Sequence, residues 1–250
     1  MALMGERALT VLPVYNEVEH VQGVLDEVCR FSEHILVVDD GSEDGTSDLL
    51  SSRHDVELVR HGENRGYGAA LRTGFDYGIE HAYDMVITID CDGQHEPQRI
   101  PRLQKAAQHA DIVSGSRYLQ EHPSDSIPPI ERRQVNQIIA AHLSEHLGLE
   151  LTDAFCGFKA YRIEALKKLS LTEDGYAMPL ELWVQAARLN FRIVEVPVPL
   201  IYLDKNRSFG ESLDNAAIRL AYYRDVIQRS LHASEGRRAP ASCSESVECP

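Results

Sequence analysis

Apolar runs and helix-period segments alternate from the start of this chain, and that alternation limits the possible folds more than any other feature. Runs at Ala8–Val14, Ile35–Asp39, Val56–Arg60, Met85–Ile89 and Ile112–Ser114 read as strands. Between them, Glu17–Phe31, Thr46–Ser52, Ala69–Ala82 and Pro97–His109 carry helical spacing. Strand and helix in turn predict an α/β fold with a mostly parallel sheet flanked by helices. Such sheets bind ligands beyond the carboxyl ends of their strands. Asn16, Asp39, Asp40, His61, Asp90 and Asp92 all fall at those ends.

After Tyr118 the pattern changes. A polar loop from Gln120 to Pro129, a candidate lid, precedes a helix from about Glu131 to Leu147. An amphipathic helix near Pro179–Leu189 and a strand Arg192–Pro197 follow, with Pro197 and Pro199 marking an edge strand. Ala216, Leu220, Tyr223, Ile227 and Leu231 keep helical spacing, whereas Ala233–Pro250 has no apolar period and reads as a disordered tail. With 250 residues and 43% hydrophobic content, one domain over residues 1–232 suffices.

Several function classes are excluded. The longest apolar stretches fall far short of the about 20 residues a membrane-spanning helix requires. Glu6 and Arg7 precede the first strand without the pattern of a secretory signal, so a cytoplasmic protein is expected. Five cysteines lack any Cys-x-x-Cys pair or histidine partners spaced for zinc. A net charge of −14 argues against nucleic acid as a partner. A polyanionic ligand must therefore be held by local cations or a metal.

The strongest chemical signal is Asp90-Cys91-Asp92-Gly93-Gln94-His95, directly after the Met85–Ile89 run. Two carboxylates one residue apart at a strand exit point into the same small space, which invites a divalent cation. Their oxygens, with the Gln94 carboxamide, suit Mg²⁺ or Mn²⁺, which take further ligands from substrate phosphates. Asp-x-Asp-Gly also suits a simple strand-ending turn.

Three further segments sit at strand exits: Val11-Leu12-Pro13-Val14-Tyr15-Asn16-Glu17, Val37-Val38-Asp39-Asp40-Gly41-Ser42-Glu43-Asp44-Gly45-Thr46, and Asn64-Arg65-Gly66-Tyr67-Gly68-Ala69-Ala70. Together with the Asp90–Asp92 run they resemble the successive signatures of glycosyltransferase family 2, of GT-A fold. From about Leu9 to Leu213 the likeness is closest to the dolichol-phosphate mannosyltransferase branch. The resemblance implies an inverting transfer of a hexose, mannose from GDP-mannose above all, from a nucleoside diphosphate-sugar to a polyprenyl phosphate. It also implies that Pro13, Tyr15, Glu17 and Asp40 line the base and ribose pocket, and that Asp90 and Cys91 contact the nucleotide-sugar. Asp92 and Gln94 become the metal ligands, and the backbone at Gly66 and Gly68 approaches the diphosphate, although helix capping is the commoner role for such glycines taken alone.

On the acceptor side, Ser116-Arg117-Tyr118 and Arg132-Arg133 resemble the branch's phosphate-positioning arginines, suited by their planar fork to phosphate oxygens. Asn136 stands where the branch usually has serine, and Arg207-Ser208-Phe209-Gly210-Glu211-Ser212-Leu213 lacks the lysine expected between its serine and leucine. A hydroxyl acceptor, such as a glycan receiving glucose from UDP-glucose, would instead need a carboxylate base. Asp153, in a segment resembling the family's Asp-x-x-x-Gly-Phe-Arg/Lys motif, and Glu181 are the candidates, with an exposed helical Glu the commoner case for the latter. Lipid contact would fall to the Leu213–Leu231 helix, the Gln120–Pro129 loop or a membrane-protein partner, as a peripheral association. A receiver domain, a nucleotidyltransferase and a catalytically silent sugar-nucleotide-binding module are the rival readings. The first needs its acidic pair on the first strand and a lysine after the fifth, and the second a glycine-rich basic first loop; neither is present.

Overall fold

The computed structural model describes residues 6–123, 125–203 and 211–235. Arg207 and the residues from 236 onward lie outside the described residues. The strands are β1 (Ala8–Val14), β2 (Ile35–Asp39), β3 (Glu57–Arg60), β4 (Met85–Thr88), β5 (Ile112–Ser116), β6 (Lys159–Arg162) and β7 (Ile193–Pro197). The helices are α1 (Val21–Val28), α2 (Thr46–Ser51), α3 (Tyr67–Glu80), α4 (Ile100–Ala107), α5 (Ile130–Leu147), α6 (Ile163–Leu166), α7 (Met178–Arg188) and α8 (Ala216–Glu235).

The strands form one seven-stranded sheet in the order β3-β2-β1-β4-β6-β5-β7. Four of its six pairings are parallel; β6 runs antiparallel to both of its neighbours. Sequence reading missed β6, because Lys159–Arg162 is only four residues long and its apolar content is too small to stand out. The edge position expected for the last strand is found, since β7 pairs only with β5. Proline is tolerated there because one side of the strand needs no ladder donor.

Every residue of β1 is buried, as expected for a strand covered on both faces. Leu9 and Val11 join the core shared with Phe75, Leu143, Trp183 and Tyr223. Ala8, Leu12 and Val14 join the core with Val21, Leu25, Ile100 and Leu103 on the opposite face. The period-2 alternation of one strand thus feeds two helix layers. Helix α3 lies close enough to the sheet that a Cβ at Gly78 would meet Val86 Cγ2 at 2.6 Å.

Several boundaries differ from those read in the sequence. Helix α1 begins at Val21 rather than Glu17, because the Glu17 and Val18 N–H groups are tied to Thr46 Oγ1 (2.9 Å) and Asp44 Oδ2 (3.1 Å) across the cleft floor. The Pro97–His109 segment divides into a 3₁₀ turn, Pro97–Arg99, and α4. Helix α8 continues to Glu235, so the first three residues of the expected tail are helical.

Candidate active site

A cleft of about 950 Å³ opens over the carboxyl ends of β1, β2 and β4. The register brings these ends level: Val14 pairs with Asp39, Asp40 N donates to Val14 O at 2.8 Å, and Ile89 N to Val11 O at 3.1 Å. Pro13, Tyr15, Glu17, Asp40, Gly66, Asp90, Cys91, Asp92 and Gln94 from the four motifs all line this cleft. Arg117, Arg132 and Asn136 line it from the other side. Asp153, Glu181 and Arg133 do not form its wall.

At the exit of β1, Asn16 adopts a left-handed φ of 53°. Its backbone N–H donates to Ser42 Oγ and its Oδ1 accepts from Glu43 N, both at 2.9 Å, locking the β1 exit onto the β2 exit. Asp40 is buried and heavily engaged. Its Oδ1 lies 2.6 Å from His61 Nδ1 and accepts from Arg65 N at 3.0 Å, while Oδ2 accepts from Gly66 N at 2.7 Å. His61 Nε2 in turn lies 2.9 Å from Thr73 Oγ1. Asp40 therefore sets the shape of the 64–66 turn while also lining the cleft.

The backbone N–H groups of both glycines are engaged within the protein. Gly66 N is taken by Asp40, and Gly68 N and Ala69 N both donate to Asp174 O, at 2.7 and 3.2 Å. The glycine requirement is steric: Gly66 has φ +104°, and a Cβ on it would collide with Asp174 O. Neither glycine N–H at this turn is left free for a diphosphate.

The two motif carboxylates do different work. Asp90, half-buried on the cleft wall, is held by the protein: Oδ1 accepts from Tyr67 Oη at 2.9 Å and Oδ2 lies 3.2 Å from His95 Nε2. Burial pushes the Asp90 carboxyl up, but His95, Tyr67 and the buried Lys159 ammonium outweigh it and bring it down to about 2. Gly157 packs so closely that a Cβ there would overlap the Asp90 carboxylate. Asp92 sits one tight turn further on, with Gly93 at φ +70° and Gln94 N donating to Asp92 Oδ1 at 3.0 Å. Both carboxylates line the cleft, Asp90 with its two oxygens engaged by Tyr67 and His95. The half-buried Asp92 carboxylate and Gln94 carboxamide, side by side on the cleft wall, are hard oxygen donors that fit Mg²⁺ or Mn²⁺.

On the opposite wall Arg117 grips Asp153 through Nε at 2.6 Å and Nη2 at 2.9 Å. Asp153 is fully buried and also accepts from Arg117 N and Phe155 N. Burial pushes its carboxyl up, yet the facing guanidinium holds it below the usual carboxylate range. This corrects the reading of Asp153 as a base: its oxygens are occupied and hidden from the cleft.

Asn136, expected among the acceptor-phosphate contacts with Arg117, Arg132, Arg133 and Arg207, is also engaged within the protein. Its Nδ2 donates to Thr152 O at 2.9 Å and its Oδ1 accepts from Ala154 N at 3.0 Å, so it anchors the loop that carries Asp153. Glu181 is buried, not exposed. It accepts from Thr172 N and Glu173 N, each at 2.8 Å, and from Thr172 Oγ1 at 3.0 Å. Arg132 remains on the cleft wall, its guanidinium 5.7 Å from the Tyr202 ring centroid. Arg133 is exposed and stands off the wall, 6.0 Å from the Tyr118 ring.

Several wall residues carried no role in the sequence reading. His95 and Tyr67 lay inside quoted motifs, and the neighbouring carboxylate was the signal that could have singled them out. Arg219, buried on α8 with Nη1 donating to Leu213 O at 2.6 Å, had no sequence signal beyond a basic residue on a helix.

The glycosyl transferase family 2 profile matches residues 10–170, which include every strand lining the cleft. The chain belongs to glycosyl transferase family 2. This family 2 glycosyltransferase is 35% identical over 218 residues to an undecaprenyl-phosphate mannosyltransferase of Micrococcus luteus, covering 82% of this chain and 86% of the relative. It is 32% identical over 231 residues to a polyprenol monophosphomannose synthase of Mycolicibacterium smegmatis, covering 86% of each. Among solved structures, glucosyl-3-phosphoglycerate synthase from Mycobacterium tuberculosis, crystallised with Mn²⁺, UDP-glucose and phosphoglyceric acid, superposes with a TM-score of 0.67 at 20% identity, covering 94% of this chain and 82% of that one. The likeness establishes the GT-A-like fold of the family 2 enzyme.

Proposed function

We propose that this family 2 enzyme transfers mannose from GDP-mannose to a polyprenyl phosphate with inversion at the anomeric carbon. The observation that carries the reading is the chemistry of the acceptor wall. Arg117 and Arg132 line it, while the two carboxylates considered as bases, Asp153 and Glu181, are both buried and consumed by other partners. A hydroxyl acceptor needs a base there; a phosphate acceptor is already ionised and needs only cations. The names of the two polyprenyl-phosphate relatives support the same acceptor and the same sugar.

In this reading Pro13, Tyr15 and Glu17 bound the nucleoside, and Asp92 with Gln94 hold Mg²⁺ or Mn²⁺. When bound, the ion supplies charge neutralisation to the departing nucleoside diphosphate. Asp90, fixed by Tyr67 and His95, keeps the turn that carries Asp92 in position. Arg132 and the Asp153-braced Arg117 aim the acceptor phosphate oxygen at the anomeric carbon, opposite the leaving group.

The lipid chain leaves by an apolar rim at the cleft mouth. Ile127 is 85% exposed, Ile130 74% and Leu203 60%, far beyond what core packing produces. The loop bearing Ile127 is tied to the segment bearing Leu203 by Ser126 N→Leu200 O at 2.7 Å and Tyr202 N→Ser126 Oγ at 3.1 Å. No described helix is long and apolar enough to cross a membrane. This rim is the peripheral membrane contact of the proposal, on the cytoplasmic face.

A donor panel assayed with and without polyprenyl phosphate, and with and without chelator, tests donor, acceptor and metal together. The expected product is mannosyl phospholipid, formed from GDP-mannose and abolished by chelator. Transfer to a glycan hydroxyl with no response to lipid phosphate would overturn the acceptor, and equal use of UDP-glucose would overturn the donor.

A further inference from the structure

We infer that the C-terminal turns of α5 form a second metal site, of the zinc class, made by His142, Glu145 and His146. The three residues follow i, i+3, i+4 spacing and so share one face of the helix. One ligand atom from each lies within 4.8 Å of the others, and these are the only residues that form such a cluster of three His, Cys, Asp or Glu among those described. The imidazole rings are 4.1 Å apart between centroids.

Two details make this more than a surface coincidence. His146 Nδ1 lies 3.0 Å from His142 O, an arrangement in which Nδ1 carries the proton and leaves the Nε2 lone pair outward. Metal-bound histidines are typically oriented by a hydrogen bond of this kind to a carbonyl. His142 Nε2 is buried and has no hydrogen-bond partner. A polar atom hidden from water without a partner is uncommon and destabilising, and a cation beside it would satisfy it.

Two imidazoles and a carboxylate suit Zn²⁺, with a fourth position left to water. They suit Mg²⁺ poorly, since that ion prefers oxygen. The site therefore differs in metal class from the Asp92–Gln94 oxygens. Arg224 on α8 faces His142 and opposes a bound cation; Glu145 offsets that charge. His142 lies six residues beyond Asn136, about 9 Å further along the helix. Ion binding would staple the last turns of the helix whose other end carries Arg132 to the cleft. The ligands of this set are related by helical rather than Cys-x-x-Cys spacing.

The test is calorimetric titration of ZnCl₂ into full-length protein with alkylated thiols and excess Mg²⁺ present, for wild type, H146A, E145Q and H142A/H146A. Exposed His146→Ala keeps the helix, and circular dichroism checks each variant. The expected result is one Zn²⁺ per wild-type chain, weakened at least about tenfold by H146A and by E145Q and absent in H142A/H146A. Zn²⁺ should also raise the Tm of wild type but not of the double variant. No Zn²⁺ bound by wild type, or equal binding and equal Tm response in H142A/H146A, would overturn the site. Neither result touches the Asp92–Gln94 assignment.

Discussion

Arg117→Ala isolates the role of the buried pair on the acceptor wall. The substitution removes two charge-assisted bonds, from Nε and Nη2, and leaves a carboxylate with no exposed surface. At roughly 1.5–3 kcal/mol per charged hydrogen bond the loss is about 3–6 kcal/mol. The usual penalty for breaking a buried ion pair, about 3–5 kcal/mol, agrees. In wild type the facing guanidinium holds Asp153 below the ordinary carboxylate value, against the upward push of burial. The pair's stabilisation is thus fully present above the unfolded-state value of about 3.9 and is lost as pH falls through the folded value. In the variant burial is uncompensated and the Asp153 carboxyl rises instead. Its deficit relative to wild type is then largest near neutral pH and shrinks on acidification, as the carboxyl takes up a proton. Urea unfolding of both proteins at about pH 7.5 and about pH 5 measures this, and the companion R117M/D153L, which removes both charges, should recover most of the stability. A neutral-pH deficit below about 1 kcal/mol, or one that does not change with pH, would refute the reasoning.

Asp92→Ala should abolish turnover while weakening nucleotide binding far less; unchanged turnover would reject the metal assignment. Arg132→Ala should raise the acceptor concentration needed for half-maximal rate by at least about tenfold and leave donor hydrolysis near wild type, since the guanidinium lies on the cleft wall that the proposed function gives to the acceptor. Equal loss of both activities would instead make Arg132 a donor-site or folding residue. His61→Ala removes the 2.6 Å partner of Asp40 and loosens the 64–66 turn. Its expected signature is a KM for donor raised about tenfold with kcat little changed, and a fall in kcat at constant KM would contradict that.

Much of the donor half could be read in advance because its signals are local. Each motif is a short run at the end of an apolar strand, and parallel strands align such ends without help from remote residues. Pro13, Asp40, Asp90 and Asp92 accordingly reach one cleft. Carboxylate partners were not legible, since they come from far along the chain. Asp40 is bound by His61, 21 residues away, and Asp153 by Arg117, 36 residues away. Glu181 read as a solvent-facing helical residue because helical spacing says nothing of the 172–173 loop that folds back over it.

From residue order alone came the α/β alternation, the strand exits, the four motifs and the family they resemble, because side-chain periods of 2 and 3.6 and turn chemistry act over a few residues. Tertiary structure alone inserted β6 antiparallel between β4 and β5, gave Asp90 its Tyr67 and His95 partners, and converted Asp153 from a candidate base into a brace for Arg117. Those outcomes depend on which charges meet when distant segments pack. A carboxylate's chemistry is set by its neighbours in space, and sequence spacing does not name them.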